Sequence, residues 1–168
     1  PGAFPLSLER ASGARFTCAD GIEYVDLCLG DTGAMTGHAV PEISAAVAAQ
    51  MSRGSTVMLP TEDAAWAGAE LARRFGLPKW QFTLSATDAN RFVLRFARAV
   101  TGRAKIVVHD WCYHGTVDET LVVLDERGRT VARPGAIGPQ VDPGTTTRAV
   151  PFNDLPAMAR ALAEGDVA

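Results

Sequence analysis

Residues 79–115 read KWQFTLSATDANRFVLRFARAVTGRAKIVVHDWCYHG, and their pattern decides the fold. The short apolar run 80–84 reads as a buried strand. It meets Ser85, Ala86, Thr87 and Asp88, after which Phe92, Phe96 and Val100 recur at helical spacing on one face, so a helix is predicted there. Ser85 with Asp88 three residues on is a variant capping box, with Asp in place of Glu or Gln. Gly102 is the expected helix stop. A second strand, Ile106–His109, follows, and then the loop 110–115, DWCYHG. Strand, turn, helix and strand in this order predict an α/β fold with a mostly parallel sheet. In such a sheet both loops lie at the carboxyl edge, where ligands bind.

A helix start carries free backbone N–H groups and a positive dipole end, which suits a phosphate. The hydroxyls of Ser85 and Thr87 add two donors. The ordinary use of Ser before a helix is a plain cap. Tyr113, on the next loop, offers a ring face for stacking; its ordinary use is a half-buried core tyrosine. A phosphate on one loop and a flat ring on the other is a coherent physical picture.

These residues resemble those of a known family. Residues 84–89, LSATDA, look like the Asn-Ser-Gly-Thr-Glu-Ala phosphate loop of class III pyridoxal-phosphate aminotransferases. Residues 101–106, TGRAKI, and 112–115, CYHG, look like that family's downstream signatures. Residues 20–26, DGIEYVD, 37–39, GHA, and 151–154, PFND, sit at family-like places too, so the resemblance covers nearly the whole chain. The subgroup most resembled is the glutamate-1-semialdehyde aminomutase-like one.

The resemblance implies a fold type I architecture, with an amino-terminal arm or small-domain segment over 1–54 and an incomplete cofactor-binding large domain over 55–168. It implies pyridoxal 5'-phosphate as cofactor, held by Ser85, Ala86 and Thr87 at the phosphate and by Tyr113 on the ring, with His114 nearby. With these motifs alongside, the phosphate reading of 85–87 takes precedence over the plain cap. The family has Gly where Ala86 stands; a methyl there crowds a close approach but leaves the N–H donor. Asp31 stands where the aminomutases carry a Trp. The family's partners are a small-molecule amino donor and an oxo acceptor, and its subunits form homodimers, with 55–60 expected near the dimer boundary.

Such enzymes need a lysine covalently joined to the cofactor. Neither Lys79 nor Lys105 falls at the family's lysine motif, so no catalytic residue is assigned in this chain. The family is much longer than 168 residues, and 161–168 reads as a helix stop running into a new strand. The expectation is an amino-terminal portion of a larger protein, or a truncated relative.

Composition bounds the rest. Apolar residues make up 47%, enough for a core. A net charge of −3 with no basic run argues against nucleic acid as the main partner. No apolar stretch reaches the roughly 18 residues of a membrane helix. No secretory leader is seen, and the chain opens on Pro1, not Met, which leaves room for an upstream segment. Three cysteines, Cys18, Cys28 and Cys112, favour reduced thiols in the cytoplasm over a disulfide framework.

Along the chain, 6–30 reads as antiparallel strands, with turn signals at Ser12-Gly13 and Asp20-Gly21, the second a two-residue hairpin candidate. The glycine-rich loop 30–37 lacks the Lys of a P-loop, which excludes nucleotide binding of that kind. Pro41–Arg53 is a predicted helix with Ile43, Val47 and Met51 on one face and Gly54 as its stop. A second runs over 61–75, capped by Thr61, with Ala64, Leu71 and Phe75 inward. One turn over 116–120 and a short strand over 121–124 follow. Residues 125–148 read as a long loop, either mobile or functional. A strand over 148–152 leads to a helix capped by Asn153, with Leu155, Met158 and Leu162 inward.

The remaining chemistry-bearing residues read as structural. His109, Cys112 and His114 match no standard zinc spacing, and no metal is expected. For His114 a structural hydrogen bond is favoured over a polar contact with the cofactor, and His38 reads as satisfying backbone groups. Asp118 and Glu119 read as solvated acids, with general-base work as the alternative. Three functions compete: an aminotransferase, with the aminomutase reaction as a variant; a non-catalytic truncated relative that binds a phosphate compound or a partner chain; and an unrelated nucleotide-binding domain. The missing P-loop Lys and G-x-G-x-x-G make the last the weakest.

Overall fold

The computed structural model describes residues 5–55, 58–137 and 141–168. The chain divides into two compact units, Pro1–Glu70 and Leu71–Ala168, and helix α2 (Glu62–Phe75) runs across the division.

In the first unit β1 (Leu8–Ser12), β2 (Arg15–Cys18) and β3 (Glu23–Val25) form an antiparallel meander. Phe16 and Tyr24 are directly opposed, and their rings stack with centroids 5.1 Å apart, a cross-strand pair that fixes register. The turn at Asp20-Gly21 is longer than expected. Cys18 N–H donates to Ile22 C=O, so the loop is the three residues Ala19, Asp20 and Gly21. Gly21 takes φ +78, the left-handed position such a loop requires.

Helix α1 (Pro41–Arg53) has the expected bounds, with Pro at its first position and Gly54 closing it at φ +99. Ile43, Val47 and Met51 are exposed. In α2 Ala64 and Leu71 are half-buried, whereas Phe75 is exposed, with its ring 5.6 Å from Trp80. Of the segment 55–60, Thr56 and Val57 lie outside the described residues.

The second unit is built on a parallel pair, β4 (Ile106–His109) and β7 (Thr147–Val150), with Ile106 opposite Thr147 and His109 opposite Val150. Lys105 also pairs in parallel with Val167, so the chain after Gly165 comes alongside β4 as a further neighbour. Strands β5 (Val122–Leu124) and β6 (Thr130–Ala132) form an antiparallel hairpin around Gly128. The stretch expected as one long loop is thus interrupted by β6 and by a 3₁₀ turn, Pro143–Thr145. Ile106, Val108, Val122 and Ala149 form the core, with Leu94 of helix α3 (Ala86–Thr101) and Leu124 packed against it.

Three expectations are corrected. Residues 80–84 are not a strand: no described chain runs beside them to complete a ladder, and Phe82 and Leu84 are exposed. On α3 the shared face of Phe92, Phe96 and Val100 is exposed, while Thr87, Asn90 and Leu94 are half-buried. Helix α4 (Leu155–Ala163) is capped by Asp154, whose carboxylate accepts from Ala157 N–H at 2.8 Å, and not by Asn153, which takes φ +59. Leu155 and Leu162 are exposed; Ala161 is the buried residue of that helix. Among the described residues no helix is long and apolar enough to cross a membrane.

Candidate functional site

Ser85 sits in extended backbone at φ −148 and caps α3, its Oγ accepting from Asp88 N–H at 3.2 Å. The same hydroxyl donates to Asp88 Oδ2 at 2.8 Å. Ser85 is therefore engaged in both directions by Asp88. The N–H groups of Ala86 and Thr87 belong to the first turn, where no intrahelical acceptor exists. Two amides and the positive helix end are what this turn offers an anion.

The loop after β4 is tied directly onto this helix start. Thr116 N–H donates to Thr87 Oγ1 at 3.1 Å, which leaves the Thr87 hydroxyl proton free to donate. Asn90 Nδ2 donates to His114 C=O at 3.0 Å. Gly115 makes the approach possible. Its φ is +79, and a Cβ there would overlap Thr87 Oγ1 and lie 2.9 Å from Thr87 Cβ. At the other end of the loop, Asp110 Oδ1 accepts from Leu124 N–H at 2.8 Å, anchoring it to the β5–β6 hairpin.

Between these anchors Tyr113 is 72% exposed, with its ring available for contact. His114 is half-buried, and its Nδ1 is buried without a hydrogen-bond partner. Such an atom is costly unless something completes it. The structure thus brings 85–87 together with the loop of Tyr113 and His114. It places Lys105 elsewhere: that residue precedes β4, at the opposite end of the strand from the loop, and reaches Asp166 at 3.3 Å. Among the described residues no group of three or more His, Cys, Asp or Glu could hold a metal.

Two features escaped the sequence reading. Trp111, two residues before Tyr113, takes φ +59 and lies under the guanidinium of Arg133, 5.2 Å from ring centroid to Cζ. Glu119, read as solvated, is half-buried and holds Arg98 through two 2.9 Å bonds. Neither has a local signal, since both contacts join residues more than twenty apart in sequence.

In the first unit His38 also does more than satisfy backbone groups. Its N–H and C=O pair with Gly13, while its ring nitrogen Nε2 meets Asp26 Oδ2 at 2.7 Å. Asp26 further accepts from the amides of Cys28 and Gly30. The hydrogen bond from His38, aided by those amides, holds the Asp26 carboxyl below its usual range despite an opposing push from burial.

The residues present suit the phosphate and ring ends of pyridoxal phosphate. Two free amides, a spare hydroxyl proton, an exposed ring on the adjoining loop and an orphaned buried histidine nitrogen are a matching donor set. Comparisons with known proteins bear on the family of the chain. The model of the family described as "Aminotransferase class-III" matches residues 2–150. The chain is 33% identical over 160 residues to a glutamate-1-semialdehyde 2,1-aminomutase of Methanocella arvoryzae, covering 95% of this chain and 38% of that protein. It is 60% identical, with a TM-score of 0.91, to the crystal structure of a glutamate-1-semialdehyde-aminomutase from Pseudomonas aeruginosa, covering 99% of this chain and 37% of that one. A variant of that enzyme has been solved in complex with PMP. An omega-transaminase from Sphaerobacter thermophilus is 31% identical with a TM-score of 0.88, covering 99% and 40%. The chain therefore spans 37–40% of the length of these relatives. In sequence over 2–150 and in fold over nearly all its length, it belongs to the class III aminotransferase family.

Proposed function

We propose that these residues form the phosphate-gripping and ring-facing part of a pyridoxal-phosphate-dependent aminotransferase, which moves an amino group between an amino compound and an oxo acid or aldehyde. The observation that carries this reading is the bond from Thr116 N–H to Thr87 Oγ1 at Gly115. It fastens the aromatic loop to the helix start, so an anion at the helix and a ring beside Tyr113 can belong to one molecule.

Each residue then has a task. The amides of Ala86 and Thr87 hold phosphate oxygens, and the Thr87 hydroxyl donates its free proton to a third. Ser85 joins them only by releasing Asp88, so its part is first to fix the helix start. Tyr113 covers one ring face and sets its tilt. His114 turns its unpaired Nδ1 to a polar atom of the bound molecule. When bound, pyridoxal phosphate supplies an electron sink for the carbon that loses its proton.

The aminomutase reaction, in which the amino group returns to a neighbouring carbon, is the second reading. The 60% identity to a protein of that name favours it; Asp31, in place of the subgroup's Trp, weighs against carrying over the substrate. The same family reading makes the enzyme a cytoplasmic homodimer, with 1–54 in the small-domain arm and 55–168 in the cofactor domain. Light scattering at micromolar concentration checks the dimer.

The test is pyridoxal-phosphate titration of the gene-encoded protein that carries these residues. Thr87→Ala removes a hydrogen bond to a charged group, about 1.5–3 kcal/mol, and Thr87→Ser should recover most of it. Tyr113→Ala should weaken binding without changing the fold. A protein that never takes up the cofactor would reduce 85–87 to a plain helix cap.

A further inference from the structure

The loop after β4 carries two large exposed rings, and the functional reading uses only one of them. Tyr113 has the cofactor ring to cover. Trp111, two residues nearer the strand, has no task there, although 59% of it is exposed. Its backbone stands at φ +59. A bulky aromatic in that region is an outlier, where glycine or asparagine would sit at little cost. Outliers of this kind gather at ligand clamps.

The indole is also held still. The guanidinium of Arg133 lies 5.2 Å from its ring centroid, a cation–π contact with one face. Arg133 is itself fixed: its N–H donates to Leu121 C=O at 2.9 Å, and its C=O accepts from Ala136 N–H at 3.0 Å. Both ends of the loop are pinned, by Leu124 N–H on Asp110 at 2.8 Å and by Thr116 N–H on Thr87 at 3.1 Å. A cation against one face leaves the other for a flat partner. A ring fixed in advance loses little freedom when a ligand stacks on it. The loop stands at the carboxyl end of a parallel strand pair, where ligands bind.

We propose that Trp111, braced by Arg133, stacks on the side chain of an aromatic substrate, so that the site favours an amino or oxo compound carrying a benzene-type ring over one with an aliphatic chain. Ring capture rests on the geometry above; calling the captured molecule the substrate rests on the aminotransferase reading. Offset stacking favours an aromatic ring over a saturated ring of similar size, which separates this role from plain burial of apolar surface.

The experiment uses the gene-encoded protein and has two arms. In the first, two uncharged probes, 3-phenylpropionamide and 3-cyclohexylpropionamide, are titrated by calorimetry. The ratio of their affinities, phenyl over cyclohexyl, should fall by about three- to tenfold from native protein to Trp111→Gly. Trp111→Phe, which keeps a ring, should retain most of it. In the second, phenylalanine and cyclohexylalanine are compared as amino donors, and the ratio of their kcat/KM values should move in the same way by a similar factor. A ratio unchanged in Trp111→Gly, no binding of either amide by native protein, or loss of fold in both variants would make Trp111 a structural residue and overturn the proposal. A protein that takes up the cofactor and shows no such change overturns the proposal alone. A Trp111-dependent ring preference in a protein that takes up no cofactor would instead overturn the aminotransferase reading and leave the ring site standing.

Discussion

Gly115→Ala is the sharpest perturbation available, because the site depends on how closely two backbone segments meet. At φ +79 an alanine sits in the left-handed region, which costs about 1–2 kcal/mol. Its Cβ would overlap Thr87 Oγ1 and come within 2.9 Å and 3.0 Å of Thr87 Cβ and Cα. The last two atoms belong to the helix and cannot swing aside as a side-chain tip would. Relieving the overlap means moving loop from helix, at about 1–3 kcal/mol for forced overpacking, and losing the Thr116–Thr87 bond, about 0.5–1.5 kcal/mol. The total is roughly 3–6 kcal/mol. Gly128→Ala is the matched control. It has φ +72 and nothing within 4 Å, so it carries only the conformational cost of about 1–2 kcal/mol. Urea unfolding of both variants, followed by circular dichroism and accompanied by cofactor titration, separates the contributions. Gly115→Ala should be the less stable by about 2–4 kcal/mol and should bind pyridoxal phosphate more weakly, while Gly128→Ala binds normally. Indistinguishable variants would mean that the loop does not rest on Thr87 as described.

Two further outcomes are expected. His38 and the amides of Cys28 and Gly30 hold the folded-state pKa of Asp26 below the ordinary carboxylate range, so its contribution to stability is complete above the unfolded value, about 3.9, and is lost as pH falls through the lower, folded one. The stability gap between native protein and Asp26→Asn should therefore narrow as the pH falls below about 4 in urea melts; a gap that does not change on acidification would refute the role of the charge. Glu119→Ala strands the half-buried Arg98 guanidinium and should cost about 1–2 kcal/mol after allowing for partial exposure, with a cycle against Arg98→Ala showing that the two losses are not additive. Additive losses would mean that the pair is solvated and idle.

Much of this architecture was legible because its signals are local. The bounds of α1 follow from Pro41 and Gly54, and those of α3 from Ser85 and Gly102, since a cap is completed within four residues of itself. Strand β4 was legible from its four-residue run, IVVH. Residues 80–84 carry an equally apolar run, but a strand exists only through its neighbours, and none of the described chain lies beside it. Asn153 and Asp154 are both good caps by residue type. The choice between them was made by backbone, with Asn153 taking the left-handed turn at φ +59 and leaving the carboxylate of Asp154 to meet Ala157.

The site divides along the same line. Residues 85–87 and Tyr113 can be proposed from sequence because a phosphate loop and an aromatic loop are contiguous motifs. The contacts that position them were not, since Gly115 against Thr87, Arg133 over Trp111 and His38 on Asp26 each join distant residues. Trp111 marks the boundary most clearly. A bulky aromatic at φ +59 gives up about 1–2 kcal/mol that an ordinary turn residue would keep. Such backbone persists only where the surroundings over-determine it. Here the Leu124 amide fixes Asp110 before it, and Asn90 and Thr87 fix His114 and Thr116 after it. With both ends pinned, the left-handed residue is what aims the indole at Arg133. Backbone strain and the contact with Arg133 thus meet at one residue, and Trp111→Gly should relieve the first while losing the second, so that its stability in urea melts stays within about 1 kcal/mol of native and the Thr87 contacts and pyridoxal-phosphate affinity persist. A loss of pyridoxal-phosphate affinity in that variant as large as that of Gly115→Ala would refute this separation.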